Sequence, residues 1–215
     1  MREPWLAGAG TGRWSPTASM ATARSGPLAA RLPDGRVLVA GGFTFEAGTL
    51  ADAEVYDPVS EAWSPIQSRM SAPRGAPSAT ATVLPGGGIL VVGGWDRPSG
   101  CLARADYFDP ALGAWRAASR MSVGRCFHAA VLTADGSVLV AGGVSGDNEP
   151  ALSSAELYDP VANSWVRTAD MAEAREAPAA ALLTSGDVLL AGGVKPGVGV
   201  SRGSELFHPV GRPPR

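Results

Sequence analysis

The chain has 215 residues, enough for one domain with a buried core, and its 45% apolar and 18% charged residues exclude disorder for the bulk of it. Gly 28 and Pro 18, without a three-residue period, exclude collagen and point to many turns. Lys+Arg 18 against Asp+Glu 20 leaves a net charge of -2, without the basic excess that phosphate backbones require, so no nucleic-acid partner is expected.

Residues 1–12 read as an N-terminal tail. The stretch MREPWLAGAGTGRW has no apolar segment of leader length, and no run in the chain approaches the roughly 20 apolar residues of a membrane helix. Two cysteines, Cys101 and Cys126, lack the CxxC spacing of a metal or redox motif and are too few for a disulfide framework. The expectation is a cytoplasmic protein, or a secreted one if a leader has been lost; whether the two cysteines pair is left open.

At Trp14 a repeated unit begins. After Trp14 come Met20 and Arg24, an alanine-rich run SGPLAARL, a turn LPDGR and the β-branched run RVLVAGG, which stops at Gly41-Gly42. An irregular stretch, FTFEAGTLAD, leads into EVYDP with Glu54 and Tyr56, and Trp63 opens the next copy. The beat is kept with a period of about 50 residues by Trp63, Trp115 and Trp165, by Met70, Met121 and Met171, and by Arg74, Arg125 and Arg175. The glycine pairs Gly93-Gly94, Gly142-Gly143 and Gly192-Gly193 keep it too, as do Asp106 with Phe108, Glu156 with Tyr158 and Glu205 with Phe207. Repeats are expected at about 14–62, 63–114, 115–164 and 165–209, within a domain spanning 13–209, with 210–215 a C-terminal tail.

Each copy reads as four short antiparallel strands: the alanine-rich run, the run ending at the glycine pair, the acidic-x-aromatic run, and a strand at the Trp. Turns rich in Gly, Asp and Pro join them. One such sheet cannot bury both faces, so copies must stack, and radial stacking of four-stranded sheets is a β-propeller. A glycine pair ending the second strand, an aromatic in the third and a Trp shortly after, at this period, resemble the Kelch repeat. The WD repeat is shorter and places its Trp-Asp pair elsewhere than Trp95-Asp96.

The resemblance implies an all-β propeller of four Kelch repeats, fewer than its relatives usually carry. A blade running from the Arg strand to the Trp strand leaves the last copy without a Trp strand, and the Trp14 strand is expected to close it. Exchange of that strand into a homo-oligomer, or membership of a longer propeller, are the competing readings. The Trp residues with Tyr56, Phe108, Tyr158 and Phe207 are expected as inter-blade core.

Function is expected on the face carrying the second-to-third and blade-to-blade connections, because FTFEAGTLAD, WDRPSGCLAR, VSGDNEPALSS and VKPGVGVSRGS share almost nothing while the opposite turns are nearly constant. Phe43, Phe45, Trp95, Asp96, Arg97, Asp147, Glu149 and Lys195 are the candidate contacts. Arg24, Arg74, Arg125 and Arg175 read in two ways: as a cationic pore mouth for an acidic peptide, the use the resemblance implies, or as partners of Glu54, Asp106, Glu156 and Glu205 in repeated ion pairs. His128 is expected to pack, His208 to be exposed. No GxSxG, HExxH, Walker or zinc spacing occurs, and the residues of the copper enzyme galactose oxidase, another Kelch-type propeller, cannot be assembled here. The reading is a non-catalytic module for a protein or acidic peptide, with no cofactor or metal. The alternative is a carbohydrate-binding or sugar-acid-processing protein resembling the Kelch-type epimerases, with the arginines holding a carboxylate and His128 or a loop acid moving a proton.

Overall fold

A computed structural model describes residues 14–195, 197 and 199–209. The tails expected at 1–12 and 210–215 lie outside the described residues. The first blade contains β1 (Leu28–Arg31), β2 (Val37–Ala40), the short ribbon β3 (Phe43–Thr44) and β4 (Gly48–Thr49), then β5 (Ala53–Asp57) and β6 (Ala62–Pro65). The second contains β7 (Ala79–Val83), β8 (Ile89–Gly93), the ribbon β9 (Trp95–Asp96) and β10 (Gly100–Cys101), β11 (Ala105–Asp109) and β12 (Ala114–Ala118). The third has β13 (Ala129–Leu132), β14 (Val138–Ala141), β15 (Ala155–Asp159) and β16 (Ser164–Arg167). The fourth has β17 (Ala179–Leu182), β18 (Val188–Ala191), the ribbon β19 (Val194–Lys195) and β20 (Gly199–Val200), and β21 (Ser204–Phe207).

Three sheets are four-stranded antiparallel meanders, in the orders β1-β2-β5-β6, β7-β8-β11-β12 and β13-β14-β15-β16; the fourth has three strands, β17-β18-β21. The first strands β1, β7, β13 and β17 stand side by side in that succession. The expected all-β, antiparallel blades are therefore present. The closing strand expected at Trp14 is not: residues 14–20 form no strand, Trp14 is fully exposed, and among the described residues no strand covers the outer edge of β21. Among the described residues the segment that follows Trp14 is tied to the first blade, at the other end of the row from β21.

Period-two alternation explains the stacking, since successive side chains of a strand feed opposite faces. In β8, Ile89 and Val91 join a core shared with Leu38, Ala40 and Val55 of the first blade, whereas Leu90 and Val92 join one with Val138, Val140 and Tyr158 of the third. In β14, Leu139 and Ala141 turn to Val188 and Leu190 of the fourth. Four blades thus enclose three cores. Three of the repeated Trp residues stand opposite the strand-three aromatic in register, Tyr56 with Trp63, Phe108 with Trp115 and Tyr158 with Trp165, with ring centroids 5.1, 5.2 and 5.0 Å apart.

The glycine pairs end the second strands for a reason of space as well as torsion. Gly41 and Gly42 have φ of 64° and 95°, and a Cβ on Gly41 would lie 1.9 Å from the carbonyl oxygen of Arg74, which belongs to the segment entering the next blade. Buried Trp115 sits in the first of the three cores, so Trp115→Ala is expected to cost about 3–5 kcal/mol in urea unfolding. Leu112→Ala, at a side chain 76% exposed, should change stability by less than about 0.5 kcal/mol.

Candidate functional site

The repeated arginines are not a pore mouth. Their side chains have 0–1% of their surface accessible, and each lies inside its own blade against the strand-three carboxylate. Arg24 donates to Glu54 at 3.1 Å, Arg74 to Asp106 at 2.6 Å, Arg125 to Glu156 at 3.2 Å and Arg175 to Glu205 at 3.1 Å. The other Nη bridges two carbonyls across the glycine turn: Gly41 and Asp52, Gly93 and Arg104, Gly142 and Ser154, Gly192 and Gly203. Arg24 also meets Asp52 at 2.8 Å and Arg175 meets Glu173 at 2.9 Å. Of the two readings of Arg24, Arg74, Arg125 and Arg175, the geometry realises the ion pairs within the blades. A buried guanidinium needs a charge partner and filled donors, and the sheet provides both.

The same carboxylates hold the connectors between blades. Glu54 accepts the backbone N–H of Ala21 and Thr22, Asp106 that of Ser71, Glu156 that of Ser122, and Glu205 those of Ala172 and Glu173. Burial pulls the Glu205 carboxyl upward, but the Ala172 N–H, the Arg175 guanidinium and the Glu173 N–H together hold it below its ordinary value. Burial pushes Arg74 and Arg125 below the usual arginine range, with Asp106 and Glu156 opposing it. Meanwhile the connector's backbone is bonded to the preceding blade: Arg74 N–H donates to Leu50, Arg125 to Leu102 and Arg175 to Leu152. Gly42, Gly94 and Gly143 donate back to the carbonyls of Arg74, Arg125 and Arg175. Each connector is therefore a clamp joining two blades.

Buried His128 lies between the second and third blades. Its Nε2 is 2.8 Å from Thr80 Oγ1, while Nδ1 has no hydrogen-bond partner among the described residues. Burial first, and the nearby Arg125 charge second, push its pKa down to about 3, against a small pull from the Arg125 carbonyl. With no acidic partner and a neutral ring, His128 has the setting of a packing residue rather than of a group that moves a proton. His208 is exposed and within 2.9 Å of Asp187.

The connectors and the ribbons share one face, as expected from the loops. Ser25 bridges Phe43, Cys126 bridges Val144 and Glu176 bridges Val194. A disulfide between Cys101 on β10 and Cys126 beside β13 ties the second blade's ribbon to the third blade, with Cα atoms 5.2 Å apart. Sequence spacing left this pairing open, because the two residues are brought together only by stacking. Phe45 is 99% exposed and Phe43 43%, their rings edge-to-face at 5.7 Å. Arg97, Asp147 and Glu149 are exposed. Asp96 is buried in β9, Trp95 is half-buried and Lys195 is engaged by Glu173. Among the described residues no cluster of His, Cys, Asp and Glu could hold a metal ion, and no helix is long and apolar enough to cross a membrane.

Two consequences are measurable. Removing Arg125 alone leaves a buried carboxylate unpaired, so Arg125→Met should destabilise by about 3–5 kcal/mol in denaturant titration, with part recovered in Arg125→Met/Glu156→Gln. For His128 the folded pKa is depressed below the unfolded value near 6.5. Its contribution is complete above about pH 6.5 and is lost as pH falls toward about 3, at up to about 1.4 kcal/mol per pH unit. Unfolding titrations should show this decline in the native chain and a flatter profile in His128→Asn.

The Kelch motif matches residues 26–70, 76–122 and 125–172, the first three blades with their outgoing connectors. No curated protein matches the chain. Kelch repeats are in general protein-interaction modules and are usually non-catalytic. With about two-thirds of its length matched and the blades built as that motif requires, the chain belongs to the Kelch family.

Proposed function

We propose that this chain is a non-catalytic protein-binding module that takes its partner on the ribbon face, with Phe43 and Phe45 as the anchor. The carrying observation is the exposure of this aromatic pair on the first blade's ribbon, Phe45 at the turn by 99% and Phe43 at the start of β3 by 43%. Exposed large aromatics on a rigid support are the side chains that dominate protein interfaces once buried by a partner. Arg97, Asp147, Glu149 and Lys195 lie on the same set of loops and would supply a mixed-charge rim.

An acidic peptide or a sugar acid would need free guanidinium groups at the axis, and those groups are spent inside the sheets. Shape and aromatic burial, rather than charge, therefore drive recognition in this reading. The Cys101–Cys126 bridge favours a working place where thiols are not kept reduced.

The test compares proteins captured by the immobilised chain and by Phe43→Ala/Phe45→Ala. The variant is expected to unfold within about 0.5 kcal/mol of the native chain and to lose at least about tenfold in affinity for the partner captured, as hot-spot removal does. Equal affinity of both proteins for that partner would overturn the assignment of the anchor.

A further inference from the structure

Among the described residues the fourth blade has three strands, and the segment before the first blade carries the pattern of the fourth. Phe207 occupies in β21 the position held by Tyr56, Phe108 and Tyr158, but no Trp faces it among the described residues. In its place is a cleft of about 510 Å³ lined by Leu157, Val166, Leu190, Leu206 and Phe207, and Leu206 is 48% exposed.

A second vacancy lies at the glycine pair. A Cβ on Gly93 or Gly142 would stand 2.4 or 2.5 Å from the carbonyl oxygen of the next blade's Arg125 or Arg175; on Gly192 the nearest atom would be Ser201 O at 3.8 Å. The niche that receives a connector in three blades is formed in the fourth and holds none among the described residues.

The complement is at the other end of the row. Trp14-Ser15-Pro16 repeats Trp63-Ser64-Pro65 of β6, and Met20 and Arg24 follow it as Met70 and Arg74 follow Trp63. The connector after Trp14 is already seated on the first blade's outward face. Thr17 Oγ1 is 2.7 Å from Tyr56 OH, Trp63 Nε1 donates to the Ala18 carbonyl, and Ala21 and Thr22 donate to Glu54. That leaves Trp14 itself fully exposed.

We propose that a second copy of this chain occupies the edge of β21. Its Trp14 strand would pair with β21 so that Trp14 fills the cleft against Phe207, and its Arg24 connector would enter the Gly192–Gly193 niche. The contact continues the three blade-to-blade interfaces already in the molecule. Made twice about a twofold axis, it closes two rows into one ring and removes both open edges. A second copy is favoured over the chain's own Trp14 because the connector holding that residue is fixed at the opposite end of the row. This inference is independent of the ribbon-face reading, since it uses a sheet edge and an end face.

The test is the solution molar mass of the full chain by light scattering coupled to size exclusion, joined to cross-linking. A mass twice that of the chain is expected, falling to that of the monomer in Trp14→Ala with unchanged circular dichroism. From the register Val55 to Ser64 in the first blade, Ser15 should face Leu206. Mixing Ser15→Cys with Leu206→Cys chains should therefore yield a covalent dimer. A monomer at all concentrations, a dimer indifferent to Trp14→Ala, or a cross-link formed only within one doubly substituted chain would overturn the proposal.

Discussion

A guanidinium sealed inside each blade is the interaction on which the rest of the structure depends. An arginine with 0–1% of its side chain accessible is tolerable only with a carboxylate partner and carbonyls for its remaining donors. The acid must therefore sit in the third strand, and the second strand must end where its carbonyl can turn inward. The backbone at that turn must also be bare enough for the next connector to pass. Arg, acid and glycine pair are parts of one device, which is why they recur together. The device reaches beyond the blade, because the arginine's own N–H is bonded to the preceding blade and its side chain to the following one.

Cores form between the blades rather than within them. Each strand sends alternate residues to two neighbours, so an interior blade is covered on both faces and an end blade on one. The end faces are therefore unequal partners. Among the described residues one carries a connector and an exposed Trp that joins no strand, and the other an edge strand, β21, that no Trp faces. The same rule of alternation that builds the stack makes its two ends complementary.

The same pairing of arginine with a strand-three carboxylate in every blade leaves the loops free to differ. The first, second and fourth blades insert a short ribbon between their second and third strands, whereas the third makes only isolated bridges there. The disulfide stiffens one ribbon, and another carries the exposed phenylalanine pair. Variable loops on a rigid base are where a repeat scaffold can differ without cost to its core.

Much of this was legible in the sequence, because a repeat states each structural demand several times over. Four glycine pairs, four arginines and the aromatic–Trp pairs specified the strands, their order and the stacking, since positive φ and period-two burial are local demands that residue types report directly. What the arginines do was not legible. A cation near an axis and a cation inside a sheet share one sequence pattern, and only the approach of Glu54, Asp106, Glu156 and Glu205 to within hydrogen-bonding distance decides between them. Burial of Asp96, isolation of His128 and pairing of Cys101 with Cys126 were decided the same way, by contacts across or between blades that join residues far apart in the chain. The position of Trp14 was likewise a tertiary decision: its strand pattern is local, but whether it meets Phe207 depends on how far three inter-blade interfaces carry the fourth blade from the first.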